Sequence, residues 1–217
     1  MNKQKKTVIA IAVLLVGGFA IAAVAYKSKA EEKTQKAIAK KPDVLIRPSA
    51  KTIGPNDAKV HIVEFMDPGC ETCRAFHPFV KKLINHHAGK VRLSIRYLPL
   101  HHGADTMVKI LEAADQQGKY WETLHLMFES QPYWAAHHNP QPDKIWPLLL
   151  QAGLDTEALQ RDMQSGEIEA MLQTDLAAAK TLGIRKTPSF FVNGQPLREF
   201  GYRQLKQLVD NAVARHY

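Results

Sequence analysis

Cys70 and Cys73 are the only cysteines in this 217-residue chain, and only Glu71 and Thr72 separate them. Before the pair runs Val60-His61-Ile62-Val63-Glu64-Phe65-Met66, apolar and β-prone. After it, Phe76, Phe79, Val80, Leu83 and Ile84 recur at three- and four-residue steps as far as His86, the spacing of a helix with one buried face. The pair is therefore predicted at a strand-to-helix turn, with Cys70 near the helix N-terminus. Unpaired N–H groups and the positive end of the helix dipole favour a thiolate there. A thiolate is the nucleophile of disulfide exchange, and a second thiol three residues on can resolve the mixed disulfide. Cys-x-x-Cys at such a junction reads as a redox motif.

Other uses of two cysteines fit less well. Zinc takes about four ligands, and the chain has no second cysteine pair and no histidine spacing that demands a metal. A disulfide between positions three apart closes too small a loop to add much stability.

Charge is unevenly placed. Residues 1–41 hold nine lysines and two glutamates, net +7, whereas the whole chain is +8, leaving about +1 for residues 42–217. A nucleic-acid surface needs a basic patch on the folded domain, and this balance gives no support for one. Residues 7–26 carry no charge, and twenty apolar residues in a helix span about 30 Å, the thickness of a bilayer's hydrocarbon core. Ala23-Val24-Ala25 resembles a signal-peptidase site, but the apolar run is longer than a usual signal core, so residues 1–26 are read as an uncleaved anchor in preference to a signal peptide. Three lysines precede the span and six follow it within residues 27–41. Counted alone, they point against export. The short basic tail before an apolar run is a signal-anchor layout, and together with the redox chemistry it points to an exported C-terminal domain. Residues 27–42, rich in Lys, Ala, Glu and Gln and ending at Pro42, are expected to be a solvated charged linker, helical at most in part.

The remainder, 43–217, reads as one domain. Val44-Leu45-Ile46 is a short β-prone piece, residues 60–66 form the main strand, and Pro78 should kink the helix after the cysteines. Val91, Leu93, Ile95 and Tyr97 alternate with Arg92, Ser94 and Arg96, as in a strand with one polar face or an outer strand. Residues 102–183 hold no convincing strand and several helical stretches, with Asp155 as an N-cap and Gly183 as a C-cap. Trp121, Leu124, Phe128, Trp134 and Trp146 are expected to pack this section. Phe190-Phe191-Val192, then Asn193-Gly194, then Gln195-Pro196-Leu197 is a hairpin signal, and residues 202–214 form a last amphipathic helix. The order β-α-β, helices, β-β-α is an α/β, thioredoxin-like plan with an inserted helical subdomain, preceded by one transmembrane helix.

With these residues the chain resembles the DsbA-like branch of the thioredoxin superfamily: the strand Val63-Glu64-Phe65, the Cys70-Glu71-Thr72-Cys73 motif, Pro78, and Lys186-Thr187-Pro188-Ser189-Phe190-Phe191-Val192-Asn193-Gly194. The resemblance implies that Cys70 is the exposed nucleophile and Cys73 the buried resolving thiol. It implies that Pro188 is a cis-proline against the motif, that Thr187 offers backbone groups to an extended substrate peptide, and that Glu64 relays protons to Cys73. The best-known member, a strong oxidant, has Pro-His between its cysteines. Here Glu71 and Thr72 tune the site instead, and a carboxylate beside Cys70 should raise its pKa and make the disulfide less oxidising.

The expected function is thiol–disulfide exchange on cysteine-containing envelope proteins, as oxidase, isomerase or reductase. It needs no cofactor beyond the Cys70–Cys73 disulfide itself. A membrane redox partner is implied, with the domain in the periplasm and residues 7–26 in the bacterial inner membrane, or a soluble periplasmic protein if the segment is cleaved. The alternative is a soft-metal module holding copper(I) on the same thiolates. His101 and His102 are placed near the motif. His86-His87 and His137-His138 are read as surface residues.

Overall fold

A computed structural model describes residues 2–136 and 139–217, so His137 and His138 lie outside the described residues. The chain opens with a 38-residue helix, α1 (Lys3–Lys40), and a 3-10 turn at Pro42–Val44. β1 (Thr52–Ile53), β2 (Val60–Met66), α2 (Glu71–His86) and β3 (Val91–Tyr97) follow. The helical insertion is α3 (Ala104–Gln116), α4 (Tyr120–Trp134), a 3-10 turn at Pro142–Lys144, α5 (Trp146–Gln151), α6 (Thr156–Asp162) and α7 (Gly166–Leu182). β4 (Ser189–Val192), β5 (Gln195–Pro196) and α8 (Tyr202–His216) complete the chain.

The sheet order is β1-β3-β2-β4-β5, with β2 and β3 parallel and the other pairs antiparallel. All seven residues of β2 are buried, because both faces of the sheet are covered. Side chains alternate between faces along a strand. Val60, Ile62 and Met66 therefore join a large core with Cys73, Phe76 and Leu205, while Val63 and Phe65 join a second core with Ala178, Leu182 and Phe191. Glu64 shares the first face, the one that carries the cysteines. Asn193 and Gly194 both take positive φ, 47° and 80°, the backbone of a tight hairpin turn that suits Asn-Gly. Asp155 accepts hydrogen bonds from the amides of Glu157 and Ala158, and Gly183 closes α7 at φ 71°.

Three sequence expectations change. Residues 27–40 are not a free linker but the continuation of α1, whose last turns dock on the domain. Lys, Ala, Glu and Gln are good helix formers, and the docking face supplies partners. Thr34 Oγ1 donates to Leu182 O (3.1 Å), Gln35 Nε2 donates to Gly194 O (2.8 Å), Arg198 pairs with Glu31 (3.0 Å), and Ile38 packs on the second core. Val44-Leu45-Ile46 is not a strand. It lies between Pro42 and Pro48, and Pro48 has no N–H for a ladder, so Leu45 is simply buried (1%) and pairing starts at Thr52. The polar side of β3 does not face solvent: Ser94 and Arg96 are 3% and 0% exposed. α7 covers it and brings Asp175, also 0% exposed, whose carboxylate accepts hydrogen bonds from Arg96 Nε, Arg47 Nε and the Tyr97 amide.

In the insertion, Leu124, Phe128 and Trp134 are buried as expected, while Trp121 and Trp146 pack partly exposed at its edge.

Candidate active site

Cys70 is the N-cap of α2: its backbone is extended (φ −80°, ψ 118°) and its sulfur accepts from the Cys73 amide at 3.4 Å. The chain reaches this conformation through Asp67-Pro68-Gly69. The buried Asp67 carboxylate accepts from the Gly69 amide (2.7 Å), the local bonding that favours Asp in turns. Gly69 is required by space, since a Cβ there would lie 2.9 Å from Pro140 Cγ.

Both cysteines are free thiols. Cys70 is not the openly exposed residue that the resemblance implies. It keeps 7% of its surface and Cys73 none, because the Thr187–Pro188 segment lies against the motif. The Thr187–Pro188 peptide bond is cis, and the Cys70 thiol donates to Thr187 O at 3.4 Å.

The two thiols are driven apart electrostatically. Cys70 is lowered from 9.0 to about 5, first by the hydrogen bond from Cys73, then by the Thr187 side chain and the Cys73 and Thr72 amides, against the opposing effect of burial. Donors aimed at a sulfur favour its anion. Glu71, expected to push the other way, does not rank among these contributions; its half-buried side chain lies instead in a cleft with Arg74, Gln131 and Pro132. Thr72 is exposed and contributes its backbone amide. Cys73 is pushed well above 9.0, first by burial and then by its bond to Cys70 and the charges of Glu64 and Cys70. Glu64, 5% exposed, is raised to about 8 by burial and by the Cys70 charge. At neutral pH the site thus holds one thiolate, one thiol and one carboxylic acid on a single face.

Two residues that support this geometry had not been singled out from sequence. Gln131, reaching in from α4, donates to Pro68 O (2.7 Å) and Cys70 O (3.1 Å), fixing the loop that carries Cys70. Asp67 also accepts from the Leu100 and His101 amides and from His101 Nδ1 (2.6 Å). The Asp-Pro-Gly turn was a visible signal for Asp67. Gln131 lies 61 residues from Cys70, and nothing local to it marks the contact. His101 is therefore at the loop beside the motif, whereas His87 pairs with Asp210 (2.8 Å) at the far end of α2. Among the described residues no group of three or more His, Cys, Asp or Glu side chains is placed to hold a metal ion.

A family model described as Thioredoxin matches residues 47–211. A sodium/proton antiporter NhaA of Herminiimonas arsenicoxydans is 31% identical over 145 residues, 67% of this chain but 22% of that protein. The chain thus spans about a fifth of the length of these antiporter relatives. Disulfide bond formation protein D of Bacillus subtilis is 22% identical over 198 residues, covering 84% of each chain. The crystal structure of a thioredoxin-like oxidoreductase from Silicibacter pomeroyi superposes with a TM-score of 0.68 at 32% identity, over 81% of this chain and 98% of that one.

Proposed function

Because the chain belongs to the thioredoxin family, in the DsbA-like form with a helical insertion, we propose that it is a thiol–disulfide oxidoreductase working through Cys70 and Cys73. One observation carries the reading: a Cys70 thiolate with a pKa of about 5 stands against a buried, protonated Cys73 and a neutral Glu64.

In the reducing direction the Cys70 thiolate attacks a substrate disulfide. A Cys70–substrate bond forms, and one substrate sulfur leaves with the bond's electron pair and takes up a proton. Glu64, once ionised, accepts the Cys73 proton. The new Cys73 thiolate attacks Cys70, forms the Cys70–Cys73 disulfide and releases the second substrate thiol. Two electrons and the single proton held on Cys73 leave the cysteine pair, the second proton taken up by the substrate thiols comes from solvent, and the oxidising direction is the same sequence reversed. The site needs no cofactor, since the cysteine pair carries the electrons. Thr187 O and its neighbouring backbone would pair with an extended peptide and set the substrate disulfide beside Cys70.

α1 contains a run long and apolar enough to cross a bilayer. We read it as the anchor of a single-pass inner-membrane protein whose domain lies in the periplasm. There the substrates are cysteine-containing proteins and a membrane partner resets the disulfide. The test is trapping in the full chain. Cys73→Ser should accumulate mixed disulfides that dithiothreitol releases, and Cys70→Ser should form none and lose insulin reduction. Equal trapping by Cys70→Ser and Cys73→Ser would overturn the assignment of Cys70 as nucleophile.

A further inference from the structure

The direction in which α1 crosses the domain has a consequence for the site. β4 starts at Ser189, next to Pro188 and the Thr187 carbonyl that faces Cys70, and runs away from the site to its hairpin tip at Asn193-Gly194. β5 returns from that tip, and the chain beyond it, Arg198 to Tyr202, is back at the site end. There the Phe200 and Tyr202 rings lie 4.8 and 4.2 Å from the ring of Phe76, three residues after Cys73. Along α1, Glu31 pairs with Arg198 at the site end, while Gln35 bonds Gly194 and Ile38 packs against Gly194 at the tip. α1 therefore runs from the site end toward the tip, and its N-terminal apolar run leaves the domain from the site end.

We propose that the face of the domain around Cys70 is turned toward a lipid bilayer, with Lys186, Arg198, Phe200 and Tyr202 at the headgroups, so that this site exchanges with cysteines held close to the membrane surface. The proposal rests on the reading of α1 as a membrane anchor and of Cys70 as an exchanging thiol. Glu31 lies five positions after Tyr26, the last of the apolar run. At 1.5 Å per residue that is about 8 Å, and the headgroup layer on one side is roughly 5–8 Å thick. The Glu31–Arg198 pair thus sits at the outer edge of that layer. No glycine or proline interrupts residues 26–40, so the helix offers no hinge through which the domain turns away.

The side chains at this face suit the position. Phe200 and Tyr202 are 42% and 45% exposed, and Lys186 Nζ sits 5.7 Å from the centre of the Phe200 ring. Arg198 stays 69% exposed despite its ion pair. Residues 185–203 carry Arg185, Lys186, Arg198 and Arg203 against the single carboxylate of Glu199. Aromatic rings favour the membrane interface, and cations are drawn to anionic lipid.

The test uses the full chain in phosphatidylglycerol/phosphatidylethanolamine vesicles that contain a lipid with a spin-labelled headgroup. A fluorophore is attached to Cys70 in Cys73→Ser. Separately, it is attached to Gln195→Cys or Lys59→Cys, both at the opposite end of the sheet, in a Cys70→Ser, Cys73→Ser background. A larger fractional loss of fluorescence at Cys70 than at either distal site is expected. A Gly/Ser insertion after Ser28 should erase the difference. Equal quenching at the two ends, or stronger quenching at the distal labels, overturns the orientation. Insulin reduction by the unlabelled chain in the same vesicles reports separately on the exchange chemistry, so the two readings fail independently.

Discussion

The sulfur of Cys70 lies 3.4 Å from the carbonyl oxygen of Thr187, a contact between residues 117 apart in the chain. It ties the N-terminus of α2 to the segment that leads into β4. The anion of Cys70 is stabilised first by the Cys73 thiol and only then by Thr187. Cys73→Ala should therefore raise the Cys70 pKa above about 5, and Thr187→Ala should raise it by less. Titrating the ultraviolet absorbance of the thiolate checks both, and a Cys70 midpoint unchanged in Cys73→Ala would refute this ordering.

A thiolate held at a pKa of about 5 falls between that of a strong oxidase, ~3.5, and that of thioredoxin, ~7. Stabilising the thiolate favours the reduced pair and makes the disulfide a better oxidant. The reduction potential should therefore lie between ~−120 and ~−270 mV. Equilibration against glutathione measures it, and a value at the oxidising end would contradict this placement.

Folding raises Glu64 from 4.5 to about 8. A raised carboxyl pKa helps the fold most below pH 4.5, and that help is lost progressively as pH rises through 8. Glu64→Gln does not titrate. Its unfolding free energy should track the wild type near pH 4 and exceed it by about 1–3 kcal/mol at pH 7 to 8. The same variant should lose the kinetic limb near pH 8 in the resolution of a mixed disulfide, with the rate of attack by Cys70 little changed. Urea titrations and rapid-quench resolution at several pH values separate the two effects.

Asp175 faces two buried guanidinium groups, those of Arg47 and Arg96, and Arg96 Nη2 has no hydrogen-bond partner among the described residues. Removing one partner of a buried pair leaves the others uncompensated, at a cost of about 3–5 kcal/mol. Asp175→Asn should show that loss in urea unfolding without moving the Cys70 titration. The matched control is Asp115→Asn, whose pair with Lys51 is partly exposed; it should cost under about 1 kcal/mol.

What could be read from sequence were features whose cause is local. The Cys-x-x-Cys turn, the Asn193-Gly194 hairpin, the caps at Asp155 and Gly183 and the apolar stripe of α2 each follow from neighbours in the chain. The cis bond before Pro188 came only from the family resemblance, since cis X–Pro bonds are a small minority. Arg96 looked like a solvent-facing strand residue because its counter-charge, Asp175, is 79 residues away. Residues 27–40 looked solvated because their apolar contacts are few, and their docking depends on Leu182, Gly194 and Arg198 being assembled first. Glu71 looked like the tuning group because it adjoins Cys70 in sequence. In space the hydrogen bonds from Cys73 and Thr187 set the thiol, and Glu71 turns into a side cleft.

The distance along the chain between Cys70 and its supports also sets an order in time. Gln131 is made 61 residues after Cys70, and Thr187 is made 117 residues after it. At roughly 5–20 residues per second, the cysteine pair exists for about 6 to 23 seconds before Thr187 is made. Through that interval it is an ordinary dithiol on a growing chain. It is open to exchange with any disulfide it meets, so a newborn chain faces its redox surroundings before the contacts that shape its own site exist.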